Sequence, residues 1–401
     1  MKLPELTIGK SLKSKRVLVR VDWNIPLTGE LAGLDSLKLE RTFPLIKDLS
    51  KHGAVVILMT HLGRPKKQEK KYSTKNLIDI VKKQSGIRLR FLDKKLDDPK
   101  GLSQAKKLIK VAKPSTIFLL ENVRFNKGET ENDPKLAKVY SELGSLFVND
   151  AFASCHREHA SVVGITKLLP SYAGPSLMAE VEALSKLLKK PKKPFVAVIG
   201  GAKLSSKIGA LESLLKIADK VMVGGAMAHV FFAAKKMSIG KSMIEEEAIP
   251  LAKKLIKHQK LLLPIDVVVA KKLNEKTKAR VVRVEDIKKT DVIGDIGTGT
   301  MLAWSQIIRK AQTIVWNGPV GVTEIPTFSN GSKVLNQAIA VRSRGPAYGV
   351  VGGGDTLPVV MQSGMGEWID HLSTGGGAML EFIANKGKLP GLQALTKELK
   401  N

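Results

Sequence analysis

Short runs of Val, Ile and Leu alternate with longer stretches of helical period along the whole chain, and this alternation narrows the available folds more than any other feature. The runs fall at Arg16 to Val21, Ala54 to Met59, Thr116 to Leu120, Phe195 to Ile199, Leu261 to Ala270 and Thr313 to Trp316. Apolar runs of this kind are strands buried on both faces, and helical crossovers between them give a mostly parallel sheet flanked by helices. The class is α/β. At 401 residues the chain exceeds one ordinary core, because about 150 residues make a domain, so two lobes are expected.

The boundary between them is expected at 170–194. A Pro-Ser-Tyr-Ala-Gly-Pro turn precedes Ser176 to Lys190, where Leu177, Val181, Leu184, Leu187 and Leu188 recur at helical spacing, and Lys-Pro-Lys-Lys-Pro follows. A helix framed by proline turns reads as a connector. The expected plan is therefore two Rossmann-like lobes, 1–172 and 191–387, joined by a hinge helix over 173–190.

Within this plan a glycine signature appears four times in the second half, each time behind an apolar run: Gly200-Gly201-Ala202-Lys203, Gly224-Gly225-Ala226-Met227, Gly352-Gly353-Gly354-Asp355 and Gly375-Gly376-Gly377-Ala378. Without side chains the backbone turns sharply and its N–H groups approach a ligand, and a helix starting there adds its positive end. Phosphate is the ligand such turns suit, although a single one is also ordinary punctuation between a strand and a helix. The first half carries a different set at its predicted strand ends. Asp22 and Asn24 lie in Val-Asp-Trp-Asn-Ile-Pro, His61 and Arg64 in Thr-His-Leu-Gly-Arg-Pro, Arg124 in Glu-Asn-Val-Arg-Phe, and His156, Arg157 and His159 beyond Asn-Asp-Ala-Phe. Ligands of open α/β sheets bind beyond the carboxyl ends of the strands, and guanidinium and imidazole groups there suit an anion. The His156/His159 pair has no further ligand cluster to make it a metal site.

Lys and Arg number 66 against 37 Asp and Glu, a net charge of +29. Such a charge raises the question of nucleic acid, but the lysines are scattered over amphipathic stretches, aromatics are 5%, and no nucleic-acid motif is present. The charge also draws in small polyanionic substrates. No apolar run approaches the roughly twenty residues of a spanning helix. The N-terminus lacks a secretory pattern, and the single Cys155 has no disulfide partner in the chain. A reducing cytoplasm and no membrane partner are expected.

Taken in order, these motifs resemble those of phosphoglycerate kinases along nearly the whole chain. The resemblance rests on Arg20-Val-Asp-Trp-Asn-Ile-Pro26, His61-Leu-Gly-Arg-Pro65, Leu119-Leu-Glu-Asn-Val-Arg-Phe125, Val148-Asn-Asp-Ala-Phe152 with His156-Arg-Glu-His159, Gly200-Gly-Ala-Lys203 with Lys207, Val315-Trp-Asn-Gly-Pro-Val-Gly321, Gly352-Gly-Gly-Asp-Thr356 and Ser373-Thr-Gly-Gly-Gly377. It implies reversible phosphoryl transfer from 1,3-bisphosphoglycerate to MgADP, giving 3-phosphoglycerate and MgATP in glycolysis and gluconeogenesis, by a monomer whose lobes close on a hinge. The leaving group is a carboxylate and the nucleophile an ionised phosphate oxygen, so positioning and charge neutralisation suffice without a general base.

By motif position the resemblance implies that Asp22 and Asn24 hold the hydroxyl end of the glycerate and that His61, Arg64, Arg124 and Arg157 bind its anionic ends. It gives Lys203 and Lys207, four apart on one face of a helix beginning at the glycine turn, the task of neutralising the group in flight, with Lys38, Arg64, Gly353 and Gly376 as further catalytic positions. Gly201, Ala202, Gly225, Gly297, Asn317, Pro319, Gly321, Val322, Glu324, Gly352, Gly354 and Thr356 shape the nucleotide site in this reading, and Asp355 contacts Mg²⁺. Candidate hinge residues are the helix Ser176 to Lys190 and the region of Leu380-Glu381. The tail 388–401 is assigned to the first lobe by resemblance alone. Lys38 stands where the family has an arginine, with Arg41 one turn on as the other candidate for that role. Thr298, Thr323 and His229 are smaller departures on the nucleotide side. Two alternatives stay open: another small-carboxylate kinase on the same scaffold, and a basic protein that binds nucleic acid.

Overall fold

The computed structural model describes residues 2–27 and 34–397; position 1, the segment 28–33 and the end of the expected tail, 398–401, lie outside the described residues. The chain divides into two compact units, Met1–Glu182 together with Lys388–Asn401, and Ala183–Gly387. The helix Pro175–Leu188 runs across the boundary in sequence.

The first unit is built on strands β1 (Arg16–Val21), β2 (Val55–Met59), β3 (Arg90–Leu92), β4 (Ile117–Leu120), β5 (Leu146–Asp150) and β6 (Ser171–Ala173), which form one parallel sheet in the order β3-β4-β2-β1-β5-β6. Its faces carry two apolar clusters, one with Val17, Val19 and Val56, the other with Leu18, Ile57 and Phe118. Neighbouring residues of one strand thus feed opposite layers, as the pleat requires. The chain leaves β1 toward β2 on one side and β5 joins on the other, so the strand order reverses at the β1/β5 edge, where a parallel sheet leaves a crevice. Asp150, at the end of β5, caps the helix Pro175–Leu188 by accepting from the Ser176 and Leu177 amides at 2.7 and 3.1 Å. The Arg41–Glu180 ion pair, at 3.2 Å, fastens the same half of that helix to the first unit. The C-terminal helix Pro390–Lys397 begins against this unit too, with the Gly391 amide on the Cys155 carbonyl at 2.9 Å.

The second unit has its own parallel sheet, from β7 (Phe195–Ile199), β8 (Lys220–Val223), β9 (Leu261–Leu262), β13 (Thr313–Asn317), β14 (Tyr348–Gly352) and β15 (His371–Ser373), in the order β15-β14-β13-β7-β8-β9. The order reverses between β7 and β13, and three of the four glycine turns leave β7, β8 and β14 beside that point. The fourth follows the edge strand β15.

Two sequence expectations need correction. The run Leu261 to Ala270 is not one strand: Pro264, which has no N–H to give a ladder, separates β9 from β10 (Asp266–Ala270). β10 then pairs antiparallel with β11 (Arg280–Arg283) and β12 (Val292–Ile296) in a separate three-stranded sheet. Lys203 and Lys207 do not share a helix face. Lys203 lies exposed in the loop, Lys207 is in a short 3-10 turn at Ser205–Lys207, and the α-helix starts only at Ile208. The glycine turn exits β7 too sharply for the helix to begin within it: Gly200 packs against Pro319, where a Cβ would strike the carbonyl.

Candidate functional site

At the carboxyl ends of β1, β2, β4 and β5 the predicted residues of the first unit come together. The Asn24 side chain accepts from the Gly63 amide at 2.7 Å, while its carbonyl accepts from Lys38 Nζ at 3.1 Å, so the loops after β1 and β2 and the helix Leu34–Glu40 are tied at one residue. Gly63 itself, at φ +62°, packs against the Tyr72 ring and has no room for a side chain. Arg124 donates to the Gly63 carbonyl, and Arg157 Nε donates to His156 Nε2 at 3.0 Å. Burial, then the neighbouring guanidiniums of Arg157, Arg20 and Arg64, bring the Arg124 pKa down to about 10. Its Nε is buried with no partner among the described residues. Crowded cations with an unused donor are what an anion would be drawn to.

The layer beneath contains residues that sequence reasoning passed over. Arg20 lies in β1, 1% exposed, and donates through Nε to Ser161 Oγ at 3.1 Å and through Nη2 to His61 Nδ1 at 3.1 Å. Ser161 in turn donates to Glu129 Oε1 at 2.5 Å, and Glu129 is 1% exposed. A guanidinium can only donate, so His61 Nδ1 is an acceptor and its proton sits on Nε2. Burial, with Arg20, Arg124, Arg157 and His159 around it, holds the His61 pKa well below the ordinary imidazole value, so the ring is neutral and offers one N–H. Burial also lifts the Glu129 carboxyl to about 7, despite Arg20 and the Ser161 hydrogen bonds pulling the other way. The signal was present in the sequence: an arginine inside Val-Leu-Val-Arg-Val interrupts an otherwise apolar strand.

In the second unit the loops after β7, β13 and β14 meet around one amine. Lys207 Nζ donates to the Gly200 carbonyl at 2.6 Å and to Asn317 Oδ1 at 3.1 Å. Thr356 Oγ1 accepts from the Gly318 amide at 2.7 Å and so joins the β13 and β14 loops. Gly201 and Gly353 both have positive φ, +109° and +111°, and a Cβ on Gly201 would meet the Lys207 amine at 3.1 Å. Burial brings the Lys207 pKa down to about 8, with exposed Asp355 opposing the shift. Next to this floor opens a cavity of about 470 Å³ bounded by Gly201, Ala202, Gly225, Pro319, Gly321, Val322, Glu324 and Asp355 on one side, and by Val267 and Ile293 of the small antiparallel sheet on the other. That second wall was not foreseen in the sequence.

Other predicted positions stand apart from this floor or are explained by packing. Gly352 is closed in by Met379 and Ser373, and Gly297 is pressed against Asp266, which caps the helix Thr298–Ile308. Gly354 and Gly376 have open space where a Cβ would be, and Gly376 caps the helix Gly377–Ala384 at φ +50°. Arg41 is committed to Glu180, whereas Lys38 reaches the Asn24 loop.

Two α/β units, one with a guanidinium cluster at its strand ends and the other with an amine over glycine turns beside a largely apolar cavity, define an enzyme of the phosphotransferase class. The family model described as phosphoglycerate kinase matches residues 9–386. The phosphoglycerate kinase of Thermus thermophilus is 42% identical over 390 residues, 96% of this chain and 97% of that one. That of Thermosipho africanus is 40% identical over 409 residues, 99% of each. Among solved structures, phosphoglycerate kinase from Coxiella burnetii superposes with a TM-score of 0.80 at 39% identity, covering 96% of this chain and 97% of that one, and that from Pyrococcus horikoshii with 0.83 at 29%, covering 97% and 98%. The chain belongs to the phosphoglycerate kinase family.

Proposed function

We propose that the first unit binds 3-phosphoglycerate or 1,3-bisphosphoglycerate, that the second binds ADP or ATP with Mg²⁺, and that the phosphoryl group passes between an acyl phosphate and the nucleotide when the two substrates are brought together by bending at the helix Pro175–Leu188. The observation that carries this reading is the cation cluster: Arg64, Arg124 and Arg157 crowd together, and Arg124 keeps a buried donor in reserve. Asp22, close enough to Arg157 to bear on its charge, and Asn24 receive the hydroxyl end. The neutral His61 gives one hydrogen bond without adding charge. In the second unit Lys207 meets the transferring group, exposed Lys203 adds positive charge from the loop, and the Gly353 turn presents backbone amides. Glu324, exposed at the cavity rim, is placed for the ribose.

Asp355 fits magnesium, which takes one or two carboxylates and completes its shell with water and phosphate oxygens. Among the described residues no group of three His, Cys, Asp or Glu could hold a metal on its own, so the ion comes with the nucleotide. When bound it neutralises phosphate charge. A single chain acting in the cytoplasm completes the proposal. Its lone Cys155 is buried, and burial pushes the thiol up to about 12, as suits a protein that uses no disulfide. No helix among the described residues is long and apolar enough to cross a membrane.

The test is ATP-dependent turnover of 3-phosphoglycerate beside other small carboxylates, in wild type, Lys38→Ala and Arg41→Ala. Turnover of 3-phosphoglycerate and a fall of about a hundredfold in Lys38→Ala are expected, as for loss of one charged donor to a transferring group. Arg41→Ala is expected chiefly to lower stability, because it removes the 3.2 Å ion pair to Glu180, whose side chain is 2% exposed. Turnover of a different acid alone would overturn the substrate assignment. Loss of kcat in Arg41→Ala with Lys38→Ala unaffected would move the arginine role to Arg41.

A further inference from the structure

Away from its glycine floor and rim the cavity of the second unit is largely apolar, and two polar side chains interrupt it: Asp295, whose carboxylate oxygens accept from the Ile296 and Gly331 amides at 2.8 and 2.7 Å, and His229. His229 lies in the helix Ala226–Ala234, which starts at Gly225 with φ +65°, is 5% exposed, and forms part of the cavity wall with Phe232, Met243 and Ile293. Its Nδ1 is 2.8 Å from the Met243 carbonyl. A carbonyl can only accept, so Nδ1 carries the proton and Nε2 bears a lone pair. Nε2 has no hydrogen bond to any described residue, and the cavity is the space the ring borders. Burial depresses the ring's pKa, which keeps that lone pair unprotonated at neutral pH.

We infer that His229 is a base-selecting residue: its Nε2 accepts a hydrogen bond from a donor on the nucleobase, favouring a purine with an exocyclic amine at C6 over one with a carbonyl there. This rests on the nucleotide reading of the cavity. Beside Nε2 an amine completes the acceptor's hydrogen bond, whereas a carbonyl sets two lone pairs against each other in an apolar surrounding, where unpaired polar groups are costly. The apolar walls accept either ring and Asp295 is already engaged by backbone amides, so the discrimination is assigned to His229 Nε2.

The experiment compares ATP with ITP, which replaces the C6 amine by a carbonyl, using 3-phosphoglycerate as acceptor. Wild type is expected to prefer ATP in kcat/KM by about tenfold, the scale of one buried hydrogen bond. His229→Phe keeps an aromatic ring but removes the acceptor, and its ratio is expected to approach unity through loss on ATP. His229→Gln, whose amide turns to present either polarity, should also narrow the ratio, by gaining on ITP. Equal use of ATP and ITP by wild type overturns the inference without any variant, as does an unchanged ratio in His229→Phe. Absence of turnover with every nucleotide would instead overturn the kinase reading on which the inference stands.

Discussion

Replacing Lys207 by alanine is expected to lower kcat by about a hundred- to a thousandfold, the usual loss when one preorganised donor to a developing charge is removed. Thermal stability should stay near wild type. The amine is held by the Gly200 carbonyl and the Asn317 side chain rather than in a close ion pair, and its removal relieves a desolvation penalty. The same burial sets a pH dependence. With a pKa brought down to about 8, Lys207 is cationic below that pH and loses its charge as pH rises through it. The kcat/KM for ATP should therefore carry an alkaline limb with its midpoint near there, since that quantity reports the free enzyme. Lys207→Arg keeps its charge through the alkaline range, so the limb should move out of the accessible window while some activity remains. A limb that stays in place in the arginine variant would assign the titration to another group.

Arg20→Met should produce the largest loss of stability, about 3 to 5 kcal/mol, as when one member of a buried charged pair is removed. The variant leaves Glu129 buried near an apolar side chain, and the loss should grow with pH. Glu129 in the folded protein already sits at about 7, above its ordinary 4.5, and Arg20 is the leading influence holding it down. Without Arg20 its folded pKa rises further. The folded state then retains a proton that the unfolded chain releases, and stability falls as pH increases through the window between the two values. Urea unfolding at neutral and alkaline pH reads this directly, and Glu129→Gln added to Arg20→Met should recover stability most at the alkaline end. A pH-independent loss would show that packing, rather than charge, explains the cost. Nitrogen chemical shifts of His61 separate a positioning role from mere destabilisation. Wild type should show a bare Nδ1 and a protonated Nε2, and the folded variant should lose that single tautomer while KM for 3-phosphoglycerate rises.

His61 illustrates how far the chain could be read without its fold. Its place after an apolar run marked it as a strand-end ligand, and the structure puts it at the end of β2. Its tautomer, however, depends on Arg20, 41 positions away and on the adjacent strand. Strand existence was equally legible, because β2, β4 and β7 are apolar throughout, while β1 is apolar apart from Arg16 and Arg20 and β13 apart from its terminal Thr313 and Asn317. The run at Leu261 misled because it is apolar apart from Pro264 and Asp266, and the missing amide of Pro264 breaks the ladder between β9 and β10.

Lys203 and Lys207 mark the same limit from the other side. Spacing alone put them on one helix face, but a turn tight enough to bring Gly200 against Pro319 postpones the helix to Ile208. One lysine is left in solvent and the other reaches back to the floor. What the amino-acid order determined by itself was local: α/β class, strand positions, glycine turns, and the ordered motifs that mark the family. What the tertiary structure decided was relational: which acceptor each buried donor finds, which ring nitrogen carries its proton, and how far burial moves each pKa. The reason is physical, since hydrophobic periodicity is written between near neighbours, whereas hydrogen-bond polarity and desolvation depend on groups that only folding brings within about 3 Å of each other.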